Sequence, residues 1–189
     1  MLMEQVQQAL RRRLGKEVRL ERAVPVGGGS INRAWRLETS AGNFFLKSKE
    51  DAPPGFFACE ADGLRRLQQA GADVPQVLAV ADVKPAAASK GARSNTDESN
   101  PAVTDLDMAD KDSADPCCDL QGGVPFLLLE WIEPGRWSSE RMRELGRQLA
   151  AVHRVEADTY GLGADNFIGL LPQPNRPATD WCAFYRERR

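Results

Sequence analysis

The chain has 189 residues, 42% of them hydrophobic, and a formal net charge of −2 at pH 7. That length suits one ordinary domain or a domain and part of another, and the charge offers nucleic acid no overall basic field. No apolar run approaches the roughly 18 residues of a membrane span, and the polar, basic stretch from Met1 to Arg13 lacks the apolar segment of a secretory signal. Cys59, Cys117, Cys118 and Cys182 form no CxxC pair and there is one histidine, so neither a structural zinc site nor any other metal ligand set is expected. A reduced, cytoplasmic setting is the default.

Leu2, Val6, Leu10 and Leu14 recur at four-residue spacing with Gly15 as a stop, which predicts a short amphipathic helix. A strand follows around Val18 to Val26. Then comes Gly27-Gly28-Gly29-Ser30-Ile31-Asn32. Three consecutive glycines let the backbone approach a ligand closely, and a row of N–H groups there suits phosphate oxygens. Alone, such a run is more often a flexible turn. Asn32 to Glu38 alternates, Ala41-Gly42-Asn43 turns, and Phe44-Phe45-Leu46-Lys47 returns, so a β-hairpin is predicted with Lys47 on its second strand. Glycine loop, antiparallel return and strand lysine together describe the phosphate grip of a protein-kinase-like fold.

Pro53-Pro54-Gly55 breaks the chain before a helix predicted from Phe56 to Ala70, with Phe57, Leu64 and Leu67 as its apolar stripe. Glu60 falls on that stripe. A carboxylate on a buried face is costly unless paired, and Lys47 is the partner expected. The plainer alternative is a rim glutamate reaching water.

Val74 to Val80 reads as loop and strand. From Pro85 to Gly123 there is no aromatic residue, and eight acids stand against three bases, a composition expected to remain a disordered insertion. Cys117-Cys118 lies within it, read as incidental thiols. Val124 to Ile132 is a near-continuous apolar run, expected to be a buried central strand. Ser138 and Ser139 precede a helix with Met142, Leu145, Leu149 and Val152 as its stripe, ending near His153, where a capping or packing role suits the histidine better than catalysis. Tyr160 to Pro174 reads as a loop, and Thr179-Asp180 opens a further helix holding Trp181, Phe184 and Tyr185.

In this order the strings Gly27–Asn32, Phe44–Lys47, Phe57-Ala58-Cys59-Glu60-Ala61, Leu127-Leu128-Leu129-Glu130 and Leu145–His153 resemble those of the fructosamine/ketosamine 3-kinases, relatives of aminoglycoside and choline kinases. The most specific block is Asp165-Asn166-Phe167-Ile168-Gly169-Leu170-Leu171-Pro172-Gln173-Pro174-Asn175, followed by Asp180-Trp181 and Phe184-Tyr185. The resemblance covers nearly the whole chain outside the acidic insertion. It implies an α+β, protein-kinase-like fold: an N-terminal lobe of antiparallel sheet and one helix over 1–133, then hinge and the start of a helical C-terminal lobe over 134–189.

It also implies ATP with Mg²⁺, a ketosamine acceptor, and phosphorylation of the 3-hydroxyl of sugars attached to amines by glycation. Neither nucleic acid nor membrane is implied as a partner. By the same resemblance ATP is bound by Gly27, Gly28, Gly29, Ser30, Asn32, Lys47, Glu60, Glu130, Trp131 and Ile132, the last three at the adenine edge, and substrate is contacted by Asp165, Asn166 and Phe167. Ser30 stands where eukaryotic members often carry cysteine, so no loop disulfide is expected. The family's His-Gly-Asp-Leu-type string and metal-binding aspartate are absent from these 189 residues. The chain is therefore expected to be truncated and inactive alone, with no catalytic residue assigned. The alternatives are a half-kinase module that binds nucleotide or a partner without chemistry, and an aminoglycoside or choline kinase, against which the Asp165–Asn175 block argues.

Overall fold

The computed structural model describes residues 1–27, 32–83, 117–119 (as backbone) and 123–189. Gly28, Gly29, Ser30 and most of the acidic segment lie outside the described residues. The strand Phe126–Glu130 (β6) explains the architecture best. Side chains alternate across a strand, and here both faces are buried. Phe126 and Leu128 enter one cluster while Leu127 and Leu129 enter another. An unbroken apolar run is what such a strand requires.

The helix Leu2–Leu14 (α1) covers the first face. Its Val6, Ala9 and Leu10 pack with Leu37, Leu46, Phe126 and Leu128. The helix Phe56–Gln69 (α2) covers the second, through Phe56, Phe57 and Ala61 against Val80, Leu127 and Leu129. Complete burial of a phenylalanine such as Phe57 contributes about 1.5–3 kcal/mol. Between the helices lies a six-stranded sheet in the order β1-β2-β3-β6-β4-β5. Its remaining strands are Leu20–Pro25 (β1), Arg33–Thr39 (β2), Gly42–Ser48 (β3), Val77–Asp82 (β4) and Cys117–Asp119 (β5). Neighbours are antiparallel except β4 and β5, which run parallel. Leu78 of β4 is bulged out against β6, so Leu78 and Ala79 both join the first cluster before alternation resumes at Val80.

Past the sheet come the helix Ser139–Val152 (α3), a small hairpin of Asn166–Ile168 (β7) and Leu171–Gln173 (β8), and the helix Trp181–Arg188 (α4). Ser138 caps α3 by accepting from the N–H of Arg141, and Asp180 caps α4 by accepting from that of Ala183.

Several local expectations change. The β2–β3 turn is Ser40-Ala41 rather than Ala41-Gly42-Asn43, with Thr39 facing Gly42; the Thr39 hydroxyl donates to the Gly42 carbonyl and accepts from the Ala41 N–H, which closes the tighter turn. Cys117–Asp119, placed by composition in a structureless insertion, pairs with the edge of β4. The stretch from Tyr160 to Pro174, read as loop, contains β7 and β8, whose strands of three residues are too short to show alternation. Met142, Leu145 and Leu149 of the α3 stripe are exposed and Val152 is half-buried, with no residue of the helix fully buried, and Leu67 of α2 is exposed too. In α4, Phe184 is buried at 4% exposure while Trp181 and Tyr185 are exposed.

Candidate functional site

The register of β3 decides where Lys47 goes. Leu46 points into the cluster under α1, so Lys47 emerges on the face covered by α2, opposite Ala34 and Leu127. On α2, Glu60 lies one turn beyond Phe56, and the two share a face. Lys47 Nζ donates to Glu60 Oε1 at 2.5 Å, with the side chains 27% and 32% exposed. The two residues that the sequence pairs are brought together. A partly shielded pair of this kind gives modest stability, and its main effect is directional: the ammonium is held at a fixed point above the sheet.

The sheet itself places the start of α2. Gly55, at the N-cap, has φ 82°, a left-handed conformation that a side chain would strain, and supplies no cap of its own. Asp82, at the end of β4, substitutes from a distance. Its carboxylate accepts from the N–H groups of Gly55 (3.2 Å), Ala58 (2.9 Å) and Val83 (2.9 Å) while only 8% exposed. A buried carboxylate at a helix N-terminus satisfies otherwise orphaned donors and complements the helix dipole. Sequence reasoning missed Asp82; the signal was an acid closing an apolar strand, which obliges a partner.

Beside Glu60 lies a cavity of about 290 Å³ whose walls include Asn32, Cys59, Glu60, Asn166 and Phe167. Asn32 Oδ1 is buried without a hydrogen-bond partner among the described residues. An unpaired acceptor next to a cavity suits a ligand or water that donates to it, whereas the Lys47 ammonium is a donor suited to an anionic group such as a phosphate. Among the described residues no group of three or more His, Cys, Asp or Glu converges to hold a metal ion.

The residues expected at the adenine edge are only partly available. The Glu130 N–H donates to the Gln76 carbonyl at 2.9 Å, and its carboxylate accepts from the Gln76 N–H at 3.2 Å, so this residue is tied into the strand end. Trp131 packs its ring 6.2 Å from that of Phe45, with the Arg36 guanidinium 5.6 Å above it. Its Nε1 is a second buried atom without a partner among the described residues. Ile132 is 56% exposed.

Asp165, Asn166 and Phe167 sit where β7 meets α2, and much of their capacity is engaged within the protein. Asp165 Oδ1 accepts from the Asn175 N–H at 2.7 Å. Asn175, fully buried, donates through Nδ2 to the Ala164 carbonyl and to Asn166 Oδ1, and accepts from the Arg189 guanidinium. Asn175 thus closes the base of the hairpin, a role its place in the sequence block did not disclose. Phe167 lies 5.6 Å from the ring of Phe56. The Cys59 thiol is directed at the Asp165 carbonyl, 3.6 Å away. Partial burial and then the nearby Asp82 and Asp62 carboxylates push that thiol's pKa above its ordinary value. His153 is the C-cap of α3, away from these groups.

Known proteins resemble the chain along nearly all of its length. Residues 2–189 match the family model described as fructosamine kinase. A Thermus thermophilus protein named "Probable ketoamine kinase" is 32% identical over 166 residues, which are 88% of this chain and 44% of that protein. The chloroplastic protein-ribulosamine 3-kinase of Arabidopsis thaliana is 29% identical over 93% of this chain and 43% of its own length. A crystal structure assigned as a fructosamine-3-kinase of Haemophilus somnus superposes with a TM-score of 0.71 at 22% identity, over 97% of this chain and 50% of that one. A second, from Thermobifida fusca, gives 0.63 at 26% identity. The chain spans about half the length of the curated relatives it matches. Its fold is that of these kinases, and the chain belongs to the fructosamine kinase family.

Proposed function

We propose that this chain carries the ATP-orienting part of a ketosamine 3-kinase, a protein that phosphorylates the 3-hydroxyl of fructosamine- or ribulosamine-type sugars on glycated amines and so takes part in deglycation. The Lys47–Glu60 pair is the observation that carries this reading. Bound ATP supplies the phosphoryl group. Lys47 offers a charge-assisted donor to phosphate oxygens, and Glu60 keeps it from swinging away. The backbone from Gly27 to Ser30 covers the phosphates, with Asn32 at its end. Trp131 and Ile132 line the adenine edge; Glu130, whose N–H is given to Gln76, shapes the strand end beneath them. Mg²⁺ enters this reading only as the companion of ATP. Asn166, on the cavity wall beside Glu60, is the member of the Asp165–Phe167 string best placed to touch the acceptor. The ketoamine and ribulosamine names of the relatives favour this acceptor class over aminoglycosides or choline.

A second reading, nucleotide binding without turnover by these 189 residues, is favoured by one observation. The sole histidine, His153, is followed by Arg154 and Val155, so no His-Gly-Asp string occurs. Two experiments test these readings. Titration with a fluorescent ATP analogue is expected to show binding that Lys47→Ala weakens about tenfold or more, the size of a lost charged hydrogen bond. Equal affinities in the two proteins remove Lys47 from the site. Incubation of the 189-residue chain with ATP and a fructosamine-bearing peptide is expected to give no 3-phosphate by phosphorus NMR, whereas product would show that catalysis needs no His-Gly-Asp string.

A further inference from the structure

We propose that the β7–β8 hairpin is a clamp on α2, with Phe167 as the positioning residue that keeps Glu60 in register with Lys47. This rests on the nucleotide-site reading above for its functional consequence, though not for its geometry.

The hairpin grips the turn of α2 that carries Glu60. Phe167 lies against Phe56, and Phe56 in turn meets Phe57 edge to face at 5.2 Å, inside the cluster formed with Val80, Leu127 and Leu129. One turn along, the Cys59 thiol reaches the Asp165 carbonyl. Phe56, Cys59 and Glu60 stand at i, i+3 and i+4, so the hairpin and the ion pair act on one strip of helix surface. Glu60 and Phe167 also share the wall of the same cavity.

An α-helix turns by about 100° per residue and rises about 1.5 Å. A shift of α2 by even one residue would therefore carry Glu60 out of reach of a 2.5 Å contact with Lys47. Asp82 pins only the first turn of the helix. Phe167 braces that same turn through Phe56, and the Asp165 carbonyl holds the next through Cys59. The clamp is stiff because Asn175 ties Asp165 and Asn166 together at its base. A segment far along the sequence thereby sets the geometry of a pair formed entirely within the first sixty residues.

The test reads the Lys47–Glu60 distance without nucleotide. Treatment with a water-soluble carbodiimide joins a lysine and a carboxylate in contact, and mass spectrometry of the digest gives the yield of the Lys47–Glu60 isopeptide. Phe167→Ala is expected to lower that yield several-fold and to speed peptide-resolved alkylation of Cys59, with Phe167→Tyr restoring both. Val6→Ala, which opens a gap on the α1 face, serves as the control for general loss of stability and is expected to leave the yield unchanged. Where Phe167→Ala fails to fold, Phe167→Leu takes its place. If the hairpin lifts, shown by faster Cys59 alkylation, while the cross-link forms as in the wild type, the clamp is overturned; unchanged alkylation overturns the role of Phe167. Loss of the cross-link equally in Val6→Ala also overturns it. Analogue binding by the same variants is expected to weaken roughly three- to thirty-fold for Phe167→Ala, the usual range for such coupling. Absence of nucleotide binding by the wild type defeats the nucleotide reading and leaves the cross-link result to decide the clamp.

Discussion

Asp82 shows how one residue can carry a helix that does not cap itself. Three backbone donors converge on its carboxylate, and removal of an acceptor strands them in a site that water enters poorly. Asp82→Ala is expected to lower the unfolding free energy by about 1–3 kcal/mol in urea denaturation, the cost of leaving buried donors unpaired. Asp82→Asn, which keeps one acceptor oxygen, is expected to recover part of that loss. A second expectation concerns Cys59, whose pKa is raised by burial first and by the Asp82 and Asp62 carboxylates after it. The thiol stays protonated to higher pH in the folded chain than in the unfolded one. Its alkylation is therefore expected to remain slow near neutrality, and the midpoint of the pH–rate profile should fall when the same peptide is followed in urea.

Among the elements, what the sequence disclosed follows from periodicity. The helix α1, the β2–β3 hairpin, α2 and the strand β6 each present enough turns or alternations for a pattern to stand out. Glu60 was legible because it interrupts an apolar stripe, and a charge there has few ways to be satisfied. β7 and β8, with three residues each, offer no period to read. The exposed face of α3 was illegible for a different reason. Its stripe of Met142, Leu145 and Leu149 is a true amphipathic pattern, yet amphipathicity says only that a face is apolar and not whether anything lies on it. In this structure those three residues are 41%, 55% and 53% exposed. An environment-sensitive hydrophobic dye is expected to bind the folded chain, and Leu145→Glu combined with Leu149→Lys is expected to abolish most of that signal without lowering the melting temperature, since neither side chain is packed.

At the scale of the whole molecule, the sheet draws its strands from both ends of the N-terminal part. β1, β2 and β3 follow one another along the chain, but the strand beside β3 is β6, and β4 lies beyond it. Leu127 faces Lys47 across that junction. The centre of the sheet is therefore the last of its strands to leave the ribosome. Until residues 126–130 emerge, β3 and β4 have no partner between them, and Leu46, Leu78 and Val80 lack the surface that buries them. Synthesis is a race in which a half-built sheet waits with apolar edges uncovered. The strand that completes it also supplies Leu127 and Leu129 to the floor beneath α2, so the lysine–glutamate pair forms only after β6 has arrived. A chain stalled before that point would present nascent-chain chaperones with a sticky, site-less intermediate. One stalled just after it would hold both residues of the pair but still lack the β7–β8 hairpin proposed to keep them in register.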